Sequence, residues 1–190
     1  MRHLGKALLV ISLLIIGGCT TQPQQVVLNP VVELIPSKIG QQTSVQVKVI
    51  DQRPQQALGV RGDTHSALIT TNQALAAVFD NEIKKGLVSK GFVISDKASG
   101  TSTLLVTINE LNYKTLKGSL TDEVQIKGAI KVQAKKHRSE LNKVYEYERE
   151  DEVLVEPGVA TNEKWINEAL SETLKRLLND KELLRFLAAK

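Results

Sequence analysis

The chain has 190 residues and carries 25 Lys and Arg against 21 Asp and Glu. Two of the basic residues, Arg2 and Lys6, sit in an N-terminal targeting stretch; without them 23 face 21, a balance that leaves no electrostatic footprint for nucleic acid. There is one cysteine, Cys19, so an intrachain disulfide is excluded and stability has to come from a packed core.

The first element is the targeting segment. Arg2, His3 and Lys6 form a basic region, and residues 7–16 are apolar apart from Ser12, too short a run to span a bilayer comfortably. Ile16-Gly17-Gly18-Cys19 resembles the lipobox of bacterial lipoproteins. Small residues let an extended chain enter a peptidase cleft, and the thiol takes a diacylglycerol. Cleavage then frees an amine that can also be acylated, and two or three acyl chains give the stable anchoring that one does not. The resemblance implies a signal peptide over 1–18, lipid attachment at Cys19, and a membrane as the first partner. Asp directly after the cysteine commonly retains such proteins in the inner membrane of enteric-type bacteria. Thr20 stands there, which favours the outer membrane with the domain facing the periplasm. Residues 20–30 (TTQPQQVVLNP) are polar and contain Pro23 and Pro30, so 19–40 reads as lipidated N-terminus and flexible tether and 41–190 as one domain.

Residues 31–36 are apolar and end in Pro36, as an edge strand or a segment packed on the domain would. Val45, Val47 and Val49 alternate over 43–50, a strand, and Pro54 ends it by removing a ladder donor. Residues 55–67, with Gly59 and Gly62, read as a loop. Over 72–90, Leu75, Val78, Phe79, Ile83 and Leu87 recur at helical spacing. Thr70, Thr71 or Asn72 suits the N-cap, and Gly91 suits a left-handed residue past the end. Residues 92–95 are a short extended exit.

Three strands follow, over 104–113, 123–134 and 142–155. Val124, Ile126, Ile130 and Val132 face one side of the second; Lys127 and Lys131 face the other, where Glu146, Glu148 and Glu150 of the third strand can pair with them across a wet face. Thr161 or Asn162 caps a helix to about Leu178, with Asn179-Asp180 as an interruption or plain surface. A further apolar stretch holds Leu183, Leu184, Phe186 and Leu187. The expected fold is α+β: a mostly antiparallel four-stranded sheet with two helices on one face, in the order β-α-β-β-β-α. Its first two strands are parallel neighbours through the first helix.

Chemistry-bearing residues are sparse. His65 stands near Asp63 and Ser66, but sequence neighbours do not build a hydrolytic triad and there is no nucleophile-elbow pattern. His137 lies among Lys135, Lys136 and Arg138 in a turn. The acidic run Glu148, Glu150, Asp151 and Glu152 reads as a charged sheet face, and Arg61-Gly62-Asp63 as a glycine turn. No catalytic, metal-binding or cofactor-binding residue is expected, and no cofactor. Asp51 and Arg53, at a strand end before a long loop, are the polar pair that can order the loop or meet a partner.

The lipobox, the strand leading into Asp51-Gln52-Arg53-Pro54, Leu58-Gly59, and the helix, hairpin and C-terminal helix in that order resemble the YajG family of uncharacterised Gram-negative lipoproteins. The resemblance covers most of the chain after Cys19 and transfers only the lipid site. It supports location and compactness without adding a mechanism. The anchor, a complete small core and the absence of convergent catalytic groups in the sequence make an anchored, non-catalytic binding or envelope-assembly module, with envelope proteins as partners, the leading expectation. The competing readings are a carrier or sensor of a small apolar or cell-wall ligand, which needs a pocket between helices and sheet, and a periplasmic hydrolase using His65 with Asp63 or Ser66.

Overall fold

The computed structural model describes residues 23–62, 67–97 and 102–189. In chain order they form β1 (Gln24–Gln25), β2 (Ser44–Asp51), β3 (Gly59–Val60), β4 (Leu68–Thr70), α1 (Leu75–Ser89), β5 (Val93–Ile94), β6 (Ser102–Leu116), β7 (Asp122–Lys136), β8 (Ser139–Val153), α2 (Val159–Leu178) and α3 (Lys181–Ala188). The expectation of a mostly antiparallel four-stranded sheet with two helices is therefore overturned. The sheet has eight strands and is mixed, with four parallel pairings and three antiparallel, and there are three helices. The additional strands β1, β3, β4 and β5 are two or three residues long, too short to show a period of two.

Alternation builds the long strands. In β7, Val124, Ile126, Ile130, Val132 and Ala134 are buried while the residues between them point outward. β6 changes parity partway: Leu104, Val106 and Ile108 are buried before its bulge, Leu111 and Tyr113 after it. One extra residue, Asn109, absorbs the change between Ile108 and Glu110. Without it Leu111 and Tyr113 would turn to the wet face. Of the expected cross-strand charge pairs, Lys127 on Glu148 is present on that face; a further pair there sets Lys135 Nζ 3.5 Å from Glu140 Oε2.

All three helices cover the opposite face. α1 contributes Leu75, Phe79, Ile83 and Leu87, and α2 contributes Ile166, Leu170, Leu174 and Leu177. The two helices touch at Gly86, where a Cβ would lie 2.4 Å from Leu178 Cδ1. Asp180 separates α2 from α3 and caps the latter, accepting from the N–H groups of Glu182 (2.8 Å) and Leu183 (3.1 Å). The expected caps of the first two helices are not used: Ala74 and Gly158 hold those positions without side-chain bonds, and Asn162 is buried within α2. Gly91 takes the left-handed conformation expected of it, at φ +86°.

The stretch expected to be tether behaves differently from residue 24 onward. Gln24, Val26, Leu28 and Pro30 are buried, Val32 and Leu34 are half-buried, and the residues between them are exposed. This strap lies along α2. Glu163, Asn167 and Ser171, spaced one turn apart, accept from the N–H groups of Val27 (2.9 Å), Asn29 (2.6 Å) and Val31 (2.9 Å). Gln73 holds the other flank, accepting from Leu28 N (2.5 Å) and donating to Leu28 O (2.9 Å). Beyond Val26, whose N–H donates to Thr70 O (2.9 Å), this extended segment thus has its donors satisfied by side chains rather than by a second strand.

Candidate functional site

Asp51 ends β2 and Arg53 follows two residues later, so the strand sets the carboxylate and the extended residue before Pro54 sets the guanidinium. Arg53 is buried and binds Asp51 through a fork, Nε to Oδ1 at 2.9 Å and Nη2 to Oδ2 at 2.8 Å. The Arg53 backbone N–H also donates to Asp51 Oδ1 (3.1 Å), and Nη1 donates to the carbonyl of Ala57 (3.2 Å). One guanidinium therefore fixes both the start of the loop and its far side. Burial raises the Asp51 carboxyl, but the hydrogen bonds and charge of Arg53 outweigh it and hold the group below its ordinary range.

This loop bridges a gap in the sheet. β2 pairs with β6 as far as Ile108, and β3 resumes the pairing at Tyr113. Between them the bulge of β6 faces the loop rather than a strand. The result is a cleft of about 550 Å³, lined by Arg53, Pro54 and Ala57 on the loop side and by Asn109, Leu111 and Asn112 on the strand side. Asn109 Oδ1 is buried there and has no hydrogen-bond partner. Sequence reasoning found Asp51 and Arg53 but missed Asn109. The available signal was the parity change from Leu104, Val106 and Ile108 to Leu111 and Tyr113.

A second polar cluster is structural. Tyr113 Oη donates to Asn162 Oδ1 (2.7 Å), and Asn162 Nδ2 donates to Gln24 Oε1 (2.9 Å) and Pro157 O (3.2 Å). Gln24 closes the set by donating to Val159 O (3.0 Å). Burial pushes the Tyr113 hydroxyl up to about 12, so it stays protonated and remains a donor. Every member is bonded to another, which joins strap, sheet and α2 without leaving a reactive group.

Cys19, Asp63, His65 and Ser66 lie outside the described residues. His137 sits at the tip of the β7–β8 turn, exposed and at φ +54°. Among the described residues no group of three His, Cys, Asp or Glu side chains converges as a metal site would require. The layer between helices and sheet, where the carrier or sensor reading needs a pocket, is occupied by the buried side chains of Ile83, Ile126, Ile166 and Leu170. Nor is any helix among the described residues long and apolar enough to cross a membrane.

A mixed sheet with three helices on one face, with no converging group of three His, Cys, Asp or Glu side chains among the described residues, defines a small α+β domain. Residues 30–188 match a family described as uncharacterised lipoproteins, and the chain belongs to that YajG-like family. Its fold is similar to that of XCC0632 from Xanthomonas campestris, of the family DUF330, at 9% identity over 83% of this chain and 92% of that one, with a TM-score of 0.55. It is also similar to a second uncharacterised protein of known structure, at 13% identity over 84% and 99% of the two chains and a TM-score of 0.52. No curated protein matches it.

Proposed function

We propose that this chain is an outer-membrane lipoprotein, anchored through acyl chains on Cys19, whose domain is a non-catalytic binding module for an envelope protein facing the periplasm. Family membership supports the lipoprotein part, and the sequence around Cys19 and Thr20 supports the anchor and its address. The observation that carries the binding role is the cleft beside Arg53. Its loop wall is pinned by a buried fork, and its strand wall offers Asn109 Oδ1, a buried acceptor with no donor. A rigid, partly apolar cleft with an unused acceptor is suited to taking up a donor-bearing segment of a partner.

The test places a photo-crosslinking residue at Gln55 or Asn112 in the intact lipoprotein in living cells, with Lys131 on the open sheet face as the control. The expected result is one discrete protein adduct from the two cleft positions and none from Lys131. An identical adduct pattern from all three, or none from the cleft, would remove the binding role.

A further inference from the structure

We infer that one end of this domain is a membrane-docking surface, in which exposed apolar side chains enter the interface of the bilayer that holds the lipid anchor. The inference rests on lipidation of Cys19, as proposed above. It begins with how far the anchor can be from the folded chain. Only residues 20–23 separate Cys19 from Gln24, where β1 starts. Five residue steps at about 3.4 Å each reach no more than roughly 17 Å. The tether is thus short, and the domain is held within about that distance of the headgroups.

The sheet register says which end is held. Gln24 pairs with Ile69, Ile69 with Gly59, and Gly59 with Tyr113, so all four lie at one level of the sheet. β1 is parallel to β4, β4 is antiparallel to β3, and β3 is parallel to β6. β1 therefore runs opposite to β6, and the chain before Gln24 lies on the side toward which β6 ends. That end carries the β6–β7 turn and the passage from β8 into α2, because Leu116 pairs with Glu123 and Asp122 with Val153.

The same end carries an unusual surface. Leu120 is 90% exposed in the β6–β7 turn, and Leu154 and Val155 are 85% and 79% exposed after β8. Leu116 and Val159 flank them, also exposed. Singly, such residues would need no explanation; grouped at the end where the anchored chain enters, they do. Two pairs of opposite charges nearby neutralise each other. Lys117 Nζ lies 2.7 Å from Asp122 Oδ2, and Arg61 Nε lies 3.3 Å from Glu156 Oε1. Docking is consequently driven by apolar insertion, with weak dependence on anionic lipid and salt. The opposite end holds the β7–β8 turn with His137 and Arg138 and points away from the bilayer.

The test uses the intact mature lipoprotein in vesicles of phosphatidylethanolamine with a minor fraction of phosphatidylglycerol. Because lipid blocks Cys19, a single introduced cysteine can carry an environment-sensitive fluorophore. Leu120→Cys and Leu154→Cys are expected to give blue-shifted emission, with about twofold quenching by a lipid bearing a nitroxide near the glycerol end of its acyl chain. Arg138→Cys is expected to give neither. Water-like emission at 120 and 154 overturns the inference while lipidation stands. A blue shift without nitroxide quenching overturns it in favour of a protein, including a second copy, on that surface. Mass spectrometry of the Cys19 peptide decides the anchor separately, and an unmodified thiol removes both readings. Leu120→Asp combined with Leu154→Asp leaves the anchor intact and is expected to abolish quenching of a probe at Val155→Cys.

Discussion

The three long strands and the strap solve one problem, the satisfaction of an extended backbone, in different ways. β6, β7 and β8 pair with one another over almost their full lengths, with a single register shift at Asn109. The strap over residues 24–34 has two residues of strand pairing and otherwise relies on Gln73, Glu163, Asn167 and Ser171. A ladder is cooperative because each bond is made by backbone groups fixed by their neighbours. The strap's bonds come from separate side chains, each of which can release its part alone. The ladder is therefore expected to open only with global unfolding, and the strap through smaller openings.

The largest effect is expected in the ladder. Ile126 is fully buried in β7 between Tyr113 and Arg149, and Ile126→Ala should lower global stability by about 4 kcal/mol, read as a shift in the urea midpoint with unchanged slope. Next is the loop that bridges the gap beside β6. Arg53→Ala should lower stability by about 3 kcal/mol, because Asp51 keeps a part-buried charge without its fork, and Arg53→Lys should restore only part of it. Asn162→Ala removes the joint between strap and sheet, taking away the partner of Tyr113 Oη and of Gln24 Oε1, and should cost about 2 kcal/mol. Asn167→Ala should cost about 1 kcal/mol, with faster hydrogen exchange at Asn29 and little change within β7. Equal acceleration in both regions would show that strap and ladder are one cooperative unit, and the contrast would fall.

The smallest effect is expected from pH. At Asp180, burial raises the carboxyl, but the N–H groups of Leu183 and Glu182, the Tyr145 hydroxyl and Lys143 together hold it below the ordinary range. Asp51 is lowered in the same way by Arg53. A carboxyl whose folded pKa lies below its unfolded value stabilises the fold above the unfolded pKa, near 3.8 for both. That contribution fades as pH falls through the folded pKa. Stability should be flat from neutral pH to about 5 and decline below 4. In Asp180→Asn that decline should be shallower, as seen in thermal melts across the series.

Much of the fold was legible where a pattern repeats for long enough. Leu75, Phe79, Ile83 and Leu87 announced α1, and the valines and isoleucines of β2 and β7 announced their strands. The strap carried its own alternation at Val26, Leu28, Val32 and Leu34, but the prolines and polar residues between them read as tether. At the candidate site Asp51 and Arg53 were visible as a charged pair at a strand end. Asn109 was not, because a bulge looks in sequence like any polar residue in a β-rich run. β3 was hidden in the stretch read as a loop over 55–67 and β4 lay just beyond it, since two or three residues show no period and are held by neighbours distant in sequence.

The sequence alone determined the long elements, the residues that form the core, the resemblance to lipoproteins and the position of Cys19. These follow from local periodicity and from short motifs whose meaning travels with them. The tertiary structure alone decided that the sheet has eight strands, that the strap belongs to the domain and that a cleft opens beside Arg53. It also set the exposed leucines at the end where the chain enters β1. Each of those depends on which backbone donors and side chains distant parts of the chain bring together, and no local pattern records that.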